Sequence, residues 1–519
     1  MGPVTMSENR QTGRCGRIIV STMDLDRTAC YQALLARDAR YDGVFFTCVR
    51  STGVYCRSIC PARPPHLHHC VFVPSAAAAQ AAGFRPCLRC RPECSPSFTG
   101  WQGSASVERA LALIEGGALD DAGVDALASR LGMGERQLRR LFQRHLGATP
   151  IAVAQTRRVH FAKQLIHETD LSMTQVALAS GFGSVRRFNE TFHALYGRGP
   201  SELRRRHASA AAPGSGITLS LRYRPPYDWP ALLGFLATRA IPGVEVVADD
   251  TYRRVIEIDG ALGTIEVAHQ PRDAALRVTV RFPHLQALPE IIARTRRLFD
   301  LGADPHAIAR TLERDPVLAP FVAARPGLRV PGGWDGFEIA VRAILGQQIT
   351  VTGALHAARR LVHALGRPID AATALPGLTH AFPGPERFGT DGCATIGVPR
   401  ARAAALTGLA ATAFAEPDLF TPQRSLEDAV ARLRAAPGIG EWTAQYIAMR
   451  ALRENDAFLA ADVALQRILA VGGVRPTARQ LLARAEAWRP WRAYAVLHLW
   501  TAEALAASSA GETDAALTA

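Results

Sequence analysis

Lysine is almost missing from this 519-residue chain: Lys163 is the only one, and arginine carries nearly all the positive charge. Amine chemistry is thereby excluded from all but one position, while guanidinium contacts to carboxylates and phosphates remain plentiful. Cysteine is almost missing beyond residue 94. Nine of the ten lie between Cys15 and Cys94, and Cys393 stands alone. That distribution speaks against a disulfide framework, which would also need a secreted context, and for metal binding near the N-terminus. No run of about 18 apolar residues occurs, so no membrane span is expected. No continuous apolar segment follows the first basic residues, so no signal peptide is expected either. The chain is read as cytoplasmic, with no membrane partner.

What is present points to DNA. The net charge of +14 favours a polyanionic partner, with solubility charge alone as the bland alternative. Hydrophobic content of 48% against 20% charged reads as globular, and the length accommodates three or four domains. Composition shifts divide the chain as follows: a flexible lead-in over 1–23, a cysteine-rich unit over 24–98, helical patterns over 104–206 and a small-residue linker over 207–216 (Ala208–Gly216 reads ASAAAPGSG). A unit with alternating strand patterns follows over 217–329, then a helical unit over 330–504 and an Ala/Ser/Thr tail over 505–519, expected to be flexible. Ile217–Tyr223 and Leu276–Phe282 are the clearest strand patterns.

Two cysteine pairs, Cys56-x3-Cys60 and Cys87-x2-Cys90, have the spacing of a tetrahedral four-thiolate zinc site. Zinc keeps such sulfurs deprotonated, and so potentially nucleophilic. Spacing alone leaves the choice of four open, because Cys48, Cys70 and Cys94 are nearby. His66, His68 and His69 read as a solvated loop rather than ligands.

One internal repeat stands out. Ala126-Leu127-Ala128-Ser129 recurs as Ala177-Leu178-Ala179-Ser180. Each copy passes a glycine turn (Gly132, Gly183) into a helical stretch with large apolar residues four apart, Leu138 and Phe142, then Phe188 and Phe192. Helix, glycine turn, helix is a helix-turn-helix pattern. Two copies joined by a helix through Val153–His167 would present two recognition helices. Leu127, Leu131, Leu138 and Phe142 are expected in the core.

The stretch Arg50-Ser51-Thr52-Gly53-Val54-Tyr55-Cys56-Arg57-Ser58-Ile59-Cys60, with Asp42-Gly43 and Ala82-Gly83-Phe84-Arg85-Pro86-Cys87-Leu88-Arg89-Cys90, resembles the metal domain of Ada-type adaptive-response proteins. The resemblance implies one zinc ion on Cys56, Cys60, Cys87 and Cys90. It also implies Cys56 as the acceptor of a methyl group from a DNA methylphosphotriester, and DNA contacts by Thr52, Arg63 and Arg85. Pro61 stands where the family has a further arginine. The repeat, with Gly181-Phe182-Gly183-Ser184 and Phe188-Asn189-Glu190-Thr191-Phe192, resembles the AraC-type DNA-binding domain. This implies recognition helices beginning near Gly134 and Ser184, base contacts by Glu135, Arg136, Gln137 and Arg140 and by Ser184, Arg186, Arg187 and Asn189, and RNA polymerase as a further partner.

From 217 onward the chain resembles AlkA-type 3-methyladenine DNA glycosylases. Tyr223-Arg224-Pro225-Pro226-Tyr227-Asp228-Trp229 and Leu233-Gly234-Phe235-Leu236 match early, Ala343-Ile344-Leu345-Gly346-Gln347 midway, and Pro437-Gly438-Ile439-Gly440-Glu441-Trp442-Thr443-Ala444 late. The last is a helix-hairpin-helix turn, in which Gly438 and Gly440 let backbone N–H groups approach a DNA phosphate. The resemblance implies Asp462 as the catalytic carboxylate and Phe235, Trp442, Tyr446 and Trp500 as the base pocket. Trp442 takes the place of the lysine used by strand-cutting relatives, so a glycosylase that leaves an abasic site is expected. Gln348 stands at the family's apolar wedge, with Ile349 as the neighbouring candidate. Asp335 and Glu338 read as helix-start or surface residues. The Pro-Cys-His-Arg motif of a second methyltransferase domain does not occur, so direct repair of O6-methylguanine is not expected. Together these readings give a multidomain, mainly α chain with α+β parts: a small zinc-binding α+β domain, an all-α double helix-turn-helix domain, an α+β domain of the AlkA N-terminal type and an all-α helix-hairpin-helix glycosylase domain. The alternative is a transcription regulator whose zinc and hairpin modules are purely structural.

Overall fold

The computed structural model describes residues 26–96, 104–120, 122–204, 216–370, 373–389 and 396–517. The expected lead-in, the linker up to residue 215 and Cys393 lie outside the described residues.

The first unit is a small sheet with two helices, α1 (Arg27–Ala36) and α2 (Ala76–Ala81). Its strands β1 (Phe46–Val49), β2 (Val54–Cys56), β3 (Cys70–Val73) and β4 (Arg85–Pro86) lie in the order β3-β1-β2-β4. The pairing of β2 with β4 is parallel, Val54 opposite Arg85 and Tyr55 opposite Pro86. Cys56 and Cys87 are the next residues in that register, and the Cys87 N–H closes the ladder on the Tyr55 carbonyl at 3.0 Å. Sheet register therefore brings two cysteine pairs distant in sequence to one level.

Six helices follow: α3 (Ala105–Glu115), α4 (Val124–Arg130), α5 (Glu135–Leu146), α6 (Pro150–Glu168), α7 (Met173–Ala179) and α8 (Val185–Tyr196). Their ends follow from local chemistry. Thr149 and Ser184 cap α6 and α8 with their hydroxyls, Pro150 opens α6, and Ser172 and Gln175 form a capping box on α7. The four-residue apolar spacing buries Leu138, Phe142, Phe188 and Phe192 completely, at 0% exposure. Leu127 and Leu131 share a core with Leu138 and Phe142. The connecting helix α6 carries the expected Val153–His167 stretch and separates the two helix-turn-helix copies.

The next unit is a five-stranded antiparallel sheet, β5 (Ile217–Arg222), β6 (Glu245–Ala248), β7 (Thr251–Ile258), β8 (Ala261–Gln270) and β9 (Ala275–Arg281), in the order β5-β9-β8-β7-β6, with α9 (Trp229–Ala237) and α10 (Leu288–Leu298). Alternation directs Leu219 and Leu221 inward. They do not make a separate core. Leu219, Leu221, Val278 and Val280 share one apolar cluster with Val159, Ala162, Ile166 and Phe188 of the regulator helices. The core thus runs across the small-residue junction, which composition alone marks as a boundary.

The remaining helices are α11 (Pro305–Leu312), α12 (Ala319–Ala324), α13 (Gly336–Leu345), α14 (Val351–Leu365), α15 (Arg400–Ala415), α16 (Leu426–Arg434), α17 (Glu441–Arg450), α18 (Val463–Ile468), α19 (Ala478–Ala485) and α20 (Arg492–Leu517). The last helix runs into the segment expected as a flexible tail. Trp488 and Trp491 are buried in this helical core. Asp335 is the N-cap of α13, accepting from the Phe337 and Glu338 N–H groups. Of the two roles expected for Glu338, the helix-start one holds, since it lies in the first turn of α13, but it is not at the surface: it is 3% exposed and paired with Arg254 at 2.8 Å and Arg342 at 2.7 Å. Those partners sit on β7 and one helical turn along α13, a pairing that only the fold could bring about.

Candidate metal centre and candidate active site

The sulfurs of Cys56, Cys60, Cys87 and Cys90 all lie within 4.8 Å of one another. Each of these residues is buried, and Cys48 and Cys70 pack instead with the apolar side chains of neighbouring clusters. Four sulfurs this close cannot all be thiolates unless a cation sits among them. Mutual hydrogen bonds hold the Cys56 thiol well above its ordinary range and the Cys87 thiol well below it. Four soft donors in a compact buried group, with the Arg57 N–H donating to Cys90 Sγ at 3.4 Å, fit one zinc ion. The Arg57 guanidinium folds back onto Asp42, with Nε 2.7 Å from Oδ1, and fixes the loop between the first two ligands. Cys56 keeps 7% of its surface at the end of β2. Thr52 and Arg63 are exposed, and Arg85 is half-buried on β4 beside it.

Residue 55 ties this centre to the regulator helices. Gln80 Nε2 donates to Tyr55 Oη at 2.9 Å, and the same hydroxyl is hydrogen-bonded to His160 Nε2 of α6 at 2.7 Å. Burial pushes His160 down to about 4, so it is neutral. One turn further along α6, Lys163 pairs with Glu93 at 2.9 Å, both side chains being 0% exposed. None of these partners was legible in sequence, because each pair joins residues of different elements.

The two recognition helices begin at Gly134 and Ser184, as expected. Arg136, Gln137, Arg140, Arg187 and Asn189 are exposed on their leading turns. Glu135 is engaged by Arg139 and Arg186 by Glu190, both four residues apart.

The helix-hairpin-helix lies between α16 and α17. Gly438 has φ +78, and a Cβ there would meet Ala405 Cβ at 2.4 Å, so only glycine fits. Gly440 has ordinary φ and open space around it. Both are exposed, and Ile439 between them is buried as the anchor.

A pocket of about 570 Å³ opens beside this motif, lined by Asp462, Trp442, Tyr446, Trp500, Phe235 and Ile349 among others. Asp462 is the N-cap of α18, its Oδ1 accepting from the Leu465 N–H at 3.1 Å. The indole of Trp442 donates to Oδ2 at 2.9 Å and that of Trp500 to Oδ1 at 3.2 Å. Three N–H donors therefore hold one carboxylate at the pocket wall. Trp442 and Tyr446 stack at 5.2 Å with an 11° interplanar angle, and Tyr446 meets Trp500 at 6.4 Å. Phe235 lines the same pocket, but the guanidinium carbon of Arg239 covers its ring at 3.8 Å. Sequence reading missed the basic floor. Arg450 donates to Tyr446 Oη at 2.6 Å, and burial of that phenol is outweighed by Arg450 and Arg239, which pull it below its ordinary value. Arg450 lies two helical turns beyond Trp442, a spacing that only an assigned helix makes meaningful. At the expected wedge, Gln348 has φ +57 and does not line the pocket, whereas Ile349 does and is 40% exposed.

These sites have counterparts in known families. A model described as the metal binding domain of Ada matches residues 29–93, one described as a helix-turn-helix domain matches 127–206, and the AlkA N-terminal domain matches 218–335. A probable bifunctional transcriptional activator/DNA repair enzyme AlkA of Mycobacterium tuberculosis is 40% identical over 481 residues, 92% of this chain and 96% of that protein. DNA-3-methyladenine glycosylase 2 of Escherichia coli K12 is 36% identical over 287 residues, 55% of this chain and 97% of that protein. The bifunctional transcriptional activator/DNA repair enzyme Ada of the same organism is 35% identical over 152 residues, 29% of this chain and 42% of that protein.

Proposed function

The chain belongs to the family of bifunctional transcriptional activator/DNA repair enzymes of the AlkA kind, and on that premise we propose that it repairs alkylated DNA at two separate centres and reports the damage through its own regulator. It is a zinc-binding, DNA-binding glycosylase and transcription regulator. The finer roles are assigned as follows.

Cys56 accepts a methyl group, once, from a DNA methylphosphotriester. Zinc, when bound, supplies thiolate character at neutral pH. The Cys56 sulfur attacks the methyl carbon, the S–C bond forms as the C–O bond breaks, and the electron pair stays on the phosphate oxygen. The triester is uncharged, so an anionic cluster can approach it. The transfer removes one negative charge from that cluster and with it one unit of repulsion toward the DNA backbone. The part-buried Tyr55–His160 contact supports this reading, since it joins the residue before the acceptor to the helix between the two DNA-reading motifs. Thr52, Arg63 and Arg85 would meet the phosphates, and Arg136, Gln137, Arg186 and Arg187 the operator. RNA polymerase is the partner that activation requires, and the cytoplasm is where the protein would meet it.

In the C-terminal half, Gly438 and Gly440 bind a phosphate through backbone N–H groups, and Ile349 fills the gap left by the flipped nucleotide. The lesion base, a purine carrying positive charge from alkylation at N3 or N7, stacks against Trp442 and Tyr446. Asp462 stabilises the sugar cation as the glycosidic bond breaks, or takes the proton of the attacking water. Lack of lysine in this half supports hydrolysis to an abasic site without strand cleavage.

The observation that carries the glycosylase assignment is the carboxylate of Asp462 held by two indole N–H groups at the wall of an aromatic pocket. Mass spectrometry of the protein after exposure to methylated DNA, combined with release of 3-methyladenine from the same DNA, tests both activities. One added methyl on Cys56 and free base are expected. A methyl-free Cys56 peptide would favour a purely structural zinc site.

A further inference from the structure

The regulator half and the glycosylase half meet across a cleft of about 1170 Å³. Two adjacent residues of α3 bridge that meeting, Arg109 foremost. Arg109 Nε and Nη2 bind the two carboxylate oxygens of Glu454 at 2.9 and 2.8 Å, and Nη1 donates to the Arg424 carbonyl at 3.0 Å. The paired side chains are 11% and 10% exposed. The neighbouring Glu108 accepts from Asn455 at 3.4 Å.

The place of these bonds gives them meaning. Arg424 immediately precedes Ser425, the N-cap of α16. Glu454 follows closely after Arg450, the last residue of α17. A single guanidinium from another domain therefore grips the helix-hairpin-helix at both its entry and its exit. The exit segment is also the one that leads to Asp462. Its Glu454 N–H is tied back to the Ala448 carbonyl at 3.0 Å, and its Phe458 N–H to Gln445 of α17 at 3.2 Å. Displacement at Glu454 would thus pass along a short, hydrogen-bonded loop to the carboxylate and to the indole of Trp442 on α17. Bidentate guanidinium–carboxylate geometry specifies orientation as well as attraction, which a lysine at this position could not do.

We propose that Arg109 is a positioning residue for base excision: the regulator domain clamps the hairpin motif and the catalytic loop of the glycosylase, so the glycosylase site is complete only in the fused chain. The proposal rests on Asp462 being the catalytic carboxylate. An angstrom-scale misplacement of such a group is enough to slow a reaction about a hundredfold. Arg109 touches no substrate, so its loss should slow the chemical step and leave duplex affinity alone.

The test is a double-mutant cycle on the full-length, zinc-loaded protein, with single-turnover release of N7-methylguanine from a short duplex at saturating enzyme. Arg109→Ala and Glu454→Ala should each lower the rate at least tenfold, and the double variant should lose no more than the worse single one. Arg109→Lys should fall between Arg109→Ala and the parent. Duplex affinity, zinc content and helicity should match the parent throughout. Either single variant releasing base at the parental rate would overturn the proposal, as would a double variant showing the product of the two single losses. Loss of rate accompanied by loss of duplex affinity or helicity would also overturn it, since that is what a merely structural contact predicts. Asp462→Asn in the same assay separates the two ideas. If it releases base normally, the assignment of Asp462 fails whatever Arg109 does. If it is inactive while Arg109→Ala is normal, only the clamp fails.

Discussion

The indole nitrogen of Trp442 lies 2.9 Å from Oδ2 of Asp462, and the same indole ring stacks on Tyr446 at 5.2 Å. One side chain thus builds the aromatic wall for the base and orients the carboxylate for the sugar. Asp462→Asn is expected to reduce base release by a factor of about 10² or more, the range for loss of a positioned catalytic group, with duplex binding unchanged. Trp442→Phe keeps an aromatic wall and removes the N–H. A hydrogen bond to a charged acceptor contributes about 1.5–3 kcal/mol, so a loss of about tenfold or more in single-turnover rate is expected. Parental rates in Trp442→Phe would show that the indole N–H does not orient the carboxylate.

Cys56→Ala separates the two repair activities. Methyl uptake from methylated DNA, followed by mass spectrometry, should disappear, along with induction of a reporter by alkylation. Release of 3-methyladenine should continue at the parental rate. Zinc stays measurable in the variant only if three thiolates and a water can hold it, so metal analysis should show weakened binding. Induction that persists in Cys56→Ala would remove this residue from the sensor role.

The exposed residues of the two recognition turns should differ in kind. Replacing Arg187 by alanine is expected to weaken operator binding, and the slope of log K against log salt should shrink by about one for each phosphate no longer neutralised. Gln137→Ala, if it removes a hydrogen bond to a base, should cost about 1–3 kcal/mol at one operator position and leave the salt slope alone. Footprinting across a salt series measures both. Identical effects on operator and random DNA for every variant would show that these turns do not read sequence.

Acid should loosen the junction between the metal centre and α6. His160 has its folded value pushed down to about 4 from 6.5. As pH falls, the unfolded chain therefore takes up the proton first. The stability associated with this group is fully present above about pH 6.5 and is lost as pH falls toward 4, by up to roughly 3 kcal/mol. Denaturant midpoints for the parent and His160→Gln at pH 7.5 and 5.0 check this. The variant should lose less stability on acidification, and equal losses in both would show that His160 is not responsible.

Much of the molecule was legible from spacing. The repeated Ala-Leu-Ala-Ser stretches, with apolar residues four apart, announce two helix-turn-helix copies, and the AraC-type resemblance puts the recognition helices near Gly134 and Ser184, where they begin, since helix period is a local property. The two cysteine pairs were legible for the same reason. Spacing alone leaves the choice of four open; the Ada-type resemblance implies Cys56, Cys60, Cys87 and Cys90, and the register of β2 and β4, which sets Cys56 beside Cys87, brings those four together. The place of Glu338 at a helix start is legible, but its burial is not, because its partner Arg254 is 84 residues away. The local match that assigns Phe235 to the pocket agrees with its place in the lining, but it gives no sign that Arg239, one turn on along the chain, lies over its ring.

The amino-acid sequence by itself determined the chemistry available: thiolates in a metal-binding pattern, arginine in place of lysine, two glycines in a hairpin turn, an aspartate beyond them. Those are short-range facts, written in residue type and interval. Only the tertiary structure decided which halves share a core, which carboxylate receives two indoles, and that one arginine of the regulator grips the glycosylase at both ends of its hairpin. Such pairings join residues tens to hundreds of positions apart, and no local pattern records them, because burial and hydrogen bonding are satisfied in space rather than along the chain.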